Sequence, residues 1–280
     1  MAYANFKPTI WSEHIQRQLE KKCLFWDAVN HEFEGEAQHG KEVKIVGVTR
    51  PSIGNYTGAD IGEPQNIADT ELMLKIDQAR FFNFGVDDVD KAQSIRGLME
   101  ALMDESAAAM AEDRDAYIAR VAATDENVLA ANISNWLTIA TEEESKAAID
   151  DAFTALWSGN VSVNEECNIF LPPWFYQMFR GNLQGLSTDN PKLLESGILG
   201  KYTNGNVKIS NSLYTDESGY THAIVMTKRA VAFAGQINSV EAYRPQGQFK
   251  DAVKGLDVYG AKVVRPEQLY VIKCKRGAQG

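Results

Sequence analysis

Apolar residues recur every three or four positions between Asp88 and Ala123: Ile95, Met99, Leu102, Met103, Ala107, Met110, Tyr117 and Val121. Such spacing lays one continuous apolar stripe along an α-helix. At 1.5 Å per residue, a helix over 88–123 spans roughly 54 Å, longer than an ordinary domain of this size is wide. Asp87 or Asp88 can cap its first turn, and Asp90 adds negative charge where the helix dipole favours it. Within it, only Gly97 is a poor helix former. The pattern predicts a spine on which other elements are hung.

Before this helix the period changes to two. Residues 42–48 (EVKIVGV) and 72–84 (LMLKIDQARFFNF) read as paired strands, the second alternating Leu72, Leu74 and Ile76 against Met73, Lys75 and Asp77. The segment between them holds three glycines, two prolines and little that could form a core. A loop of that length is rare inside a compact domain and is usually functional. The expected element is a long projecting hairpin, marginal by itself and ordered by lying on another chain. Upstream, Ile10, Trp11, Ile15, Leu19, Leu24, Phe25 and Trp26 make residues 8–30 an amphipathic arm, with Ser12 placed to cap a helix running to about Lys22. A polar connector with Gly35 and Gly40 separates arm from hairpin.

Downstream, Thr141 and Glu144 form a capping box for a helix over 141–157, with Ala147, Ile149, Phe153 and Leu156 on its apolar face. Ile169 to Leu171 reads as a buried strand that turns at Pro172 and Pro173 into an aromatic helix ending near Arg180. Further strands are expected at 205–210, 222–227, 229–234, 249–259 and 261–274. The fold class is therefore α+β.

Composition narrows the function. The chain has 280 residues, 44% apolar, and can bury one large core or two modest ones. A net charge of −10 argues against nucleic-acid binding by the chain as a whole, while Lys7, Arg17, Lys21 and Lys22 leave a local basic face open on the arm. Cys23, Cys167 and Cys274 are odd in number and far apart, so buried thiols in a reducing compartment are expected rather than disulfides. No apolar run is long enough to cross a membrane and the first residues lack a secretory pattern, so folding in a cytoplasm is expected.

Candidate chemistry is thin. Asp87, Asp88 and Asp90 could hold a hard cation, but charge at a helix start accounts for them. His14, His31, His39 and His222 lack ligand spacing, and exposed loop histidines are expected. No nucleophile elbow or phosphate-binding glycine loop is present, since Gly54, Gly58 and Gly62 sit between strands. Trp174, Phe175, Tyr176 and Phe179 beside Arg180 could stack bases, but their helical spacing favours packing. Neither an enzyme nor a cofactor, metal or membrane partner is expected.

The order of elements, together with PTIWSEHI, VDDVDKAQ, NGNVKISNSL, MTKRAVAFAGQINSVEAYRP and DVYGAKVVRPEQLYVI, resembles the major capsid proteins of tailed bacteriophages with the Hong Kong 97 fold. The resemblance covers essentially the whole chain. It implies an N-terminal arm over 1–41, an E-loop hairpin over 42–84, a P-domain spine over 85–125, an A-domain over 126–240, and P-domain strands with the C-terminus over 241–280. It further implies self-assembly into pentamers and hexamers of an icosahedral shell around double-stranded DNA. The protein would reside in the virion after assembly in the bacterial host cytoplasm.

Implied partners are other copies of the chain, a scaffolding protein, a portal protein, a decoration protein and the packaged DNA, met by non-specific contact. Scaffolding is expected to be separate because the chain starts directly at the arm. Some family members crosslink a hairpin lysine to a neighbour's asparagine, but no lysine lies between Ile45 and Leu74, so no crosslink is expected. Trp11, Arg50, Tyr56, Asp60 and Glu63 are the candidate intersubunit contacts. The alternatives are an encapsulin-like bacterial compartment shell, and an uncharacterised cytoplasmic enzyme, for which no convergent polar site can be assembled.

Overall fold

The computed structural model describes residues 23–33, 42–48, 69–87, 98–184, 200–247 and 249–277. One half is built on a mixed sheet of β4 (Leu137–Ile139), β5 (Cys167–Leu171), β6 (Lys201–Tyr202), β7 (Gly205–Ile209), β8 (Thr221–Thr227) and β11 (Leu269–Arg276). Their order is β4-β11-β8-β5-β7-β6, with β4–β11 and β5–β7 parallel and the remaining pairs antiparallel. Side chains alternate across the sheet, so each strand serves two cores. Ile169, Leu171, Ala223, Val225 and Ile272 face helices α2 (Glu142–Ser158) and α3 (Pro173–Gln184). Phe170, Ile224, Met226 and Val271 face the opposite way.

The local signals for α2 and α3 are met in detail. Thr141 Oγ1 accepts the Glu144 N–H at 3.3 Å, and the Glu144 carboxylate accepts the N–H groups of Thr141 and Ala140 at 3.1 and 2.8 Å. The buried face of α2 is Ala148, Ile149, Ala152, Phe153 and Leu156. Ala147, assigned to that face from spacing, is exposed, because the face turns one position further round. In α3, the Pro172 carbonyl accepts the first free amides, from Phe175 and Tyr176, both at 3.0 Å. Phe175 and Phe179 are fully buried, as packing residues.

The other half is a three-stranded ribbon, β3 (Gln78–Asp87), β10 (Lys250–Val263) and β9 (Val231–Tyr243), in the order β3-β10-β9. The spine helix α1 (Leu98–Thr124) lies along one face, where Met103 and Ala107 pack on Val240, Val253, Phe82 and Phe84. Residues 88–97 of the expected helix, with Asp88, Asp90 and Ile95, lie outside the described residues. The apolar stripe also differs from the expected one towards the C-terminal end. Tyr117 and Val121 are half-buried, and Ile118, Ala119 and Ala122 take the deepest places. The helix changes partner along its length, from ribbon to mixed sheet, so no single straight stripe can serve both.

Several strand boundaries differ from the sequence reading, and the strand expected over 229–234 is β9, which starts at Val231 and runs on to Tyr243. The expected strand over 72–84 is two strands: β2 (Asp69–Lys75) pairs with β1 (Glu42–Val48), and after Ile76 and Asp77 the chain crosses to pair with β10 as β3. Alternation continues through the crossing, so the change of partner leaves no trace in the pattern. Likewise β10 runs through Gly260 to Val263, and the break comes at a 3₁₀ turn over Pro266–Gln268. Gly260 serves close approach rather than a turn: a Cβ there would lie 2.0 Å from the Lys75 carbonyl oxygen.

The histidines also depart from expectation. His31 packs on Trp26 with ring centroids 4.2 Å apart and planes tilted by 36°, and its Nε2 lies 2.7 Å from the Trp26 carbonyl oxygen. His222 is buried in β8. His14 and His39 lie outside the described residues.

Candidate assembly interface

Trp11, Arg50, Tyr56, Asp60 and Glu63 all lie outside the described residues. The geometry on view is that of the two roots from which the arm and the hairpin depart, and of the faces beside them.

The arm root is Cys23–Phe33. Asp115 of α1 accepts the N–H groups of Leu24 and Phe25 at 2.9 and 3.1 Å and the Cys23 thiol at 2.7 Å. Phe25 stacks on Phe170 with centroids 3.8 Å apart and planes 7° from parallel. Further on, Asn30 joins the edge of β9, its N–H donating to the Val231 carbonyl and its carbonyl accepting from Phe233, each at 2.9 Å. Burial raises the Asp115 pKa despite those donors, and burial with the Asp115 charge pushes the Cys23 thiol up. Burial also pushes Cys167 up to about 11 and Cys274 to about 12. Burial thus favours the protonated form of all three thiols.

At the hairpin root, Val43, Ile45 and Leu74 are buried against Ala232 and Ala234 of β9. Tyr117 donates to Asp77 at 3.3 Å across the crossing between β2 and β3. Arg80 donates to Asp113 at 2.9 Å, and the same carboxylate accepts the Tyr259 hydroxyl. Beneath these contacts Arg114 makes two hydrogen bonds to Asp257, Nε to Oδ2 at 2.7 Å and Nη2 to Oδ1 at 2.6 Å. The rings of Trp26, Phe233 and Tyr259 surround its guanidinium at 5.6 to 5.9 Å. Arm root, spine and ribbon therefore meet at one buried ion pair. The sequence reading missed it; its trace is the charged pair Arg114 and Asp115 between Ala111 and Ile118, where a buried helix face should be apolar.

Beyond the hairpin root, which covers Ala232 and Ala234, the ribbon face turned away from α1 has no cover around Phe81 and Leu256 among the described residues. Phe81, 80% exposed, stands directly opposite Leu256, and Phe249 is 79% exposed at the turn into β10. Around them Lys254 pairs with Glu241 at 2.8 Å and Tyr243 donates to Asn83 at 3.1 Å. An exposed apolar centre with a polar surround is how a protein contact surface is composed. An open cleft of about 1160 Å³ lies beside the arm root, lined by both acids and bases, including Asp27, Glu165, Lys208, Arg229 and Arg265. Among the described residues no group of three or more His, Cys, Asp or Glu could hold a metal, and no helix is long and apolar enough to cross a membrane.

No family model matches the sequence, and no curated protein is similar to it. Solved structures are similar. A chain of Mycobacterium phage Che8 shares 28% identity at a TM-score of 0.72, covering 89% of this chain and 90% of that one. A chain from the capsid of cyanophage P-SCSP1u matches at 16% identity and a TM-score of 0.65, over 85% of this chain and 84% of that one. The chain has the Hong Kong 97 fold of phage major capsid proteins. That fold also occurs in a virus-like particle from Pyrococcus furiosus, matched at 11% identity and a TM-score of 0.59, over 95% of this chain and 99% of that one.

Proposed function

We propose that this chain is the shell subunit of a tailed phage or prophage, assembling as pentamers and hexamers into an icosahedral capsid around double-stranded DNA. The supporting observation is the capsid-type fold matched over nine-tenths of the chain, with arm and hairpin fixed at their roots beside an uncovered apolar ribbon face. The role is association rather than catalysis. Modest contacts repeated around every ring accumulate into a strong assembly, with charge pairs fixing register more than supplying affinity. Trp11 on the arm and Arg50, Tyr56, Asp60 and Glu63 on the hairpin loop reach neighbouring copies. A separate scaffolding protein guides curvature, a portal protein occupies one vertex, and a decoration protein can bind the finished surface. Assembly takes place in the host cytoplasm, and the net charge of −10 suits a shell that does not grip the DNA it encloses.

The full-length likeness to the Pyrococcus furiosus particle favours a second reading, a compartment shell enclosing protein cargo. The nucleic-acid content of shells purified from the native source separates them: packaged double-stranded DNA supports the phage reading, and protein cargo without DNA overturns it. Deleting residues 50–68 tests assembly itself. Folded subunits that form no shells are expected; unimpaired particles would contradict the role of the hairpin.

A further inference from the structure

The arm root contains only one short 3₁₀ turn, over Trp26–Ala28, yet its backbone is gripped by side chains from two separate elements. Both polar groups of Leu24 are taken. Its N–H donates to Asp115 on α1 at 2.9 Å, and its carbonyl accepts from Lys208 Nζ on β7 at 3.0 Å. The same carboxylate takes the next amide, Phe25, and the preceding thiol, Cys23. The Leu24 side chain, by contrast, is 38% exposed. What is held here is the direction of the peptide, not the leucine.

Apolar packing could anchor this segment by itself, because Phe25 is fully buried against Phe170. Packing is non-directional, whereas hydrogen bonds fix orientation. Burying a carboxylate is also costly, and Asp115 is only 3% exposed. The cost is reduced, though not cancelled, by three donors and by the charge of Lys208, whose ammonium lies 5.6 Å over the Phe170 ring. Two opposite charges that each close on the main chain of Leu24, one on its N–H and one on its carbonyl, are suited to setting a heading.

We propose that Asp115 and Lys208 are positioning residues for assembly: they fix the point and direction at which the N-terminal segment leaves the subunit, and hence which neighbour it can reach. This inference rests on the shell reading. Identical headings in every copy give shells of one curvature, and a loosened root gives mixed ones.

The test uses the full-length chain as wild type, Lys208→Met, Asp115→Asn and the conservative Lys208→Arg, each produced under conditions where wild type assembles. Hydrogen exchange over residues 23–28 reads the clamp, thermal melting reads the core, and electron microscopy reads shell diameter. Lys208→Met and Asp115→Asn should melt as wild type does, exchange at the Leu24 and Phe25 amides about tenfold faster or more, and form shells of broadened diameter or open sheets. Lys208→Arg should restore both slow exchange and uniform shells, which a loss of general packing would not predict. Should Asp115→Asn fail to fold, Lys208→Met decides, since Lys208 is only half-buried and Met keeps its stem. Uniform shells of wild-type diameter from Lys208→Met, or unchanged exchange, overturn the inference alone. A wild-type chain that never closes a shell overturns the shell reading and the inference together.

Discussion

Removing the guanidinium at Arg114 should be among the most damaging single changes in the body of the subunit. Arg114 is 3% exposed and Asp257 fully buried, so the pair sits in low dielectric with two short charge-assisted bonds. Arg114→Met keeps an apolar stem but removes the charge that faces the Trp26, Phe233 and Tyr259 rings and strands the buried Asp257 carboxylate. Stranding a buried charge costs about 3–5 kcal/mol, a fifth or more of a typical domain's stability of about 5–15 kcal/mol. Asp257→Leu added to Arg114→Met removes the stranded charge, and the double variant should return to wild-type stability or exceed it by about 1–4 kcal/mol. Urea unfolding of dissociated subunits, followed by circular dichroism, measures all three. A loss below about 1 kcal/mol for Arg114→Met, the scale of an exposed pair, would refute the burial and the reasoning built on it.

Three further outcomes are expected. Gly260→Ala places a methyl group 2.0 Å from the Lys75 carbonyl oxygen, so the hairpin root must shift; a stability loss of about 1–3 kcal/mol with impaired shell formation is expected, and wild-type behaviour would contradict the close approach. Burial lowers the His222 pKa below its ordinary value, outweighing Asp216, so the folded state resists a proton that the unfolded chain accepts near pH 6.5. Stability should therefore fall as pH drops below about 6.5, by no more than about 1.4 kcal/mol per pH unit from this residue, and His222→Gln should flatten the decline in a melting series from pH 7 to 5. Shells boiled in detergent should release a single species of 31.0 kDa, because the hairpin loop carries no lysine; a ladder of covalent multimers would contradict this.

Much of the fold is written in local pattern. The Thr141 to Glu144 capping box, the Pro172 and Pro173 entry to α3 and the short apolar runs that become β5 and β8 each follow from neighbours in sequence. What escapes is non-local. The crossing at Ile76 and Asp77 keeps its alternation while changing partner, and Gly260 is set by a carbonyl that arrives from Lys75. Arg114, Asp115 and Lys208 look like ordinary surface charges until partners at Asp257, Leu24 and Phe25 are brought up from far along the chain. Ala147 and Ala148 differ by one position on one helix, within the reach of a small rotation of the face.

Electron cryomicroscopy of the assembled protein tests the central claim most directly. The account predicts closed icosahedral shells in which the segment before Cys23 and the loop between Val48 and Asp69 of each subunit lie on neighbouring copies. A uniform population of single chains, each with both segments packed against its own ribbon and sheet, would contradict it.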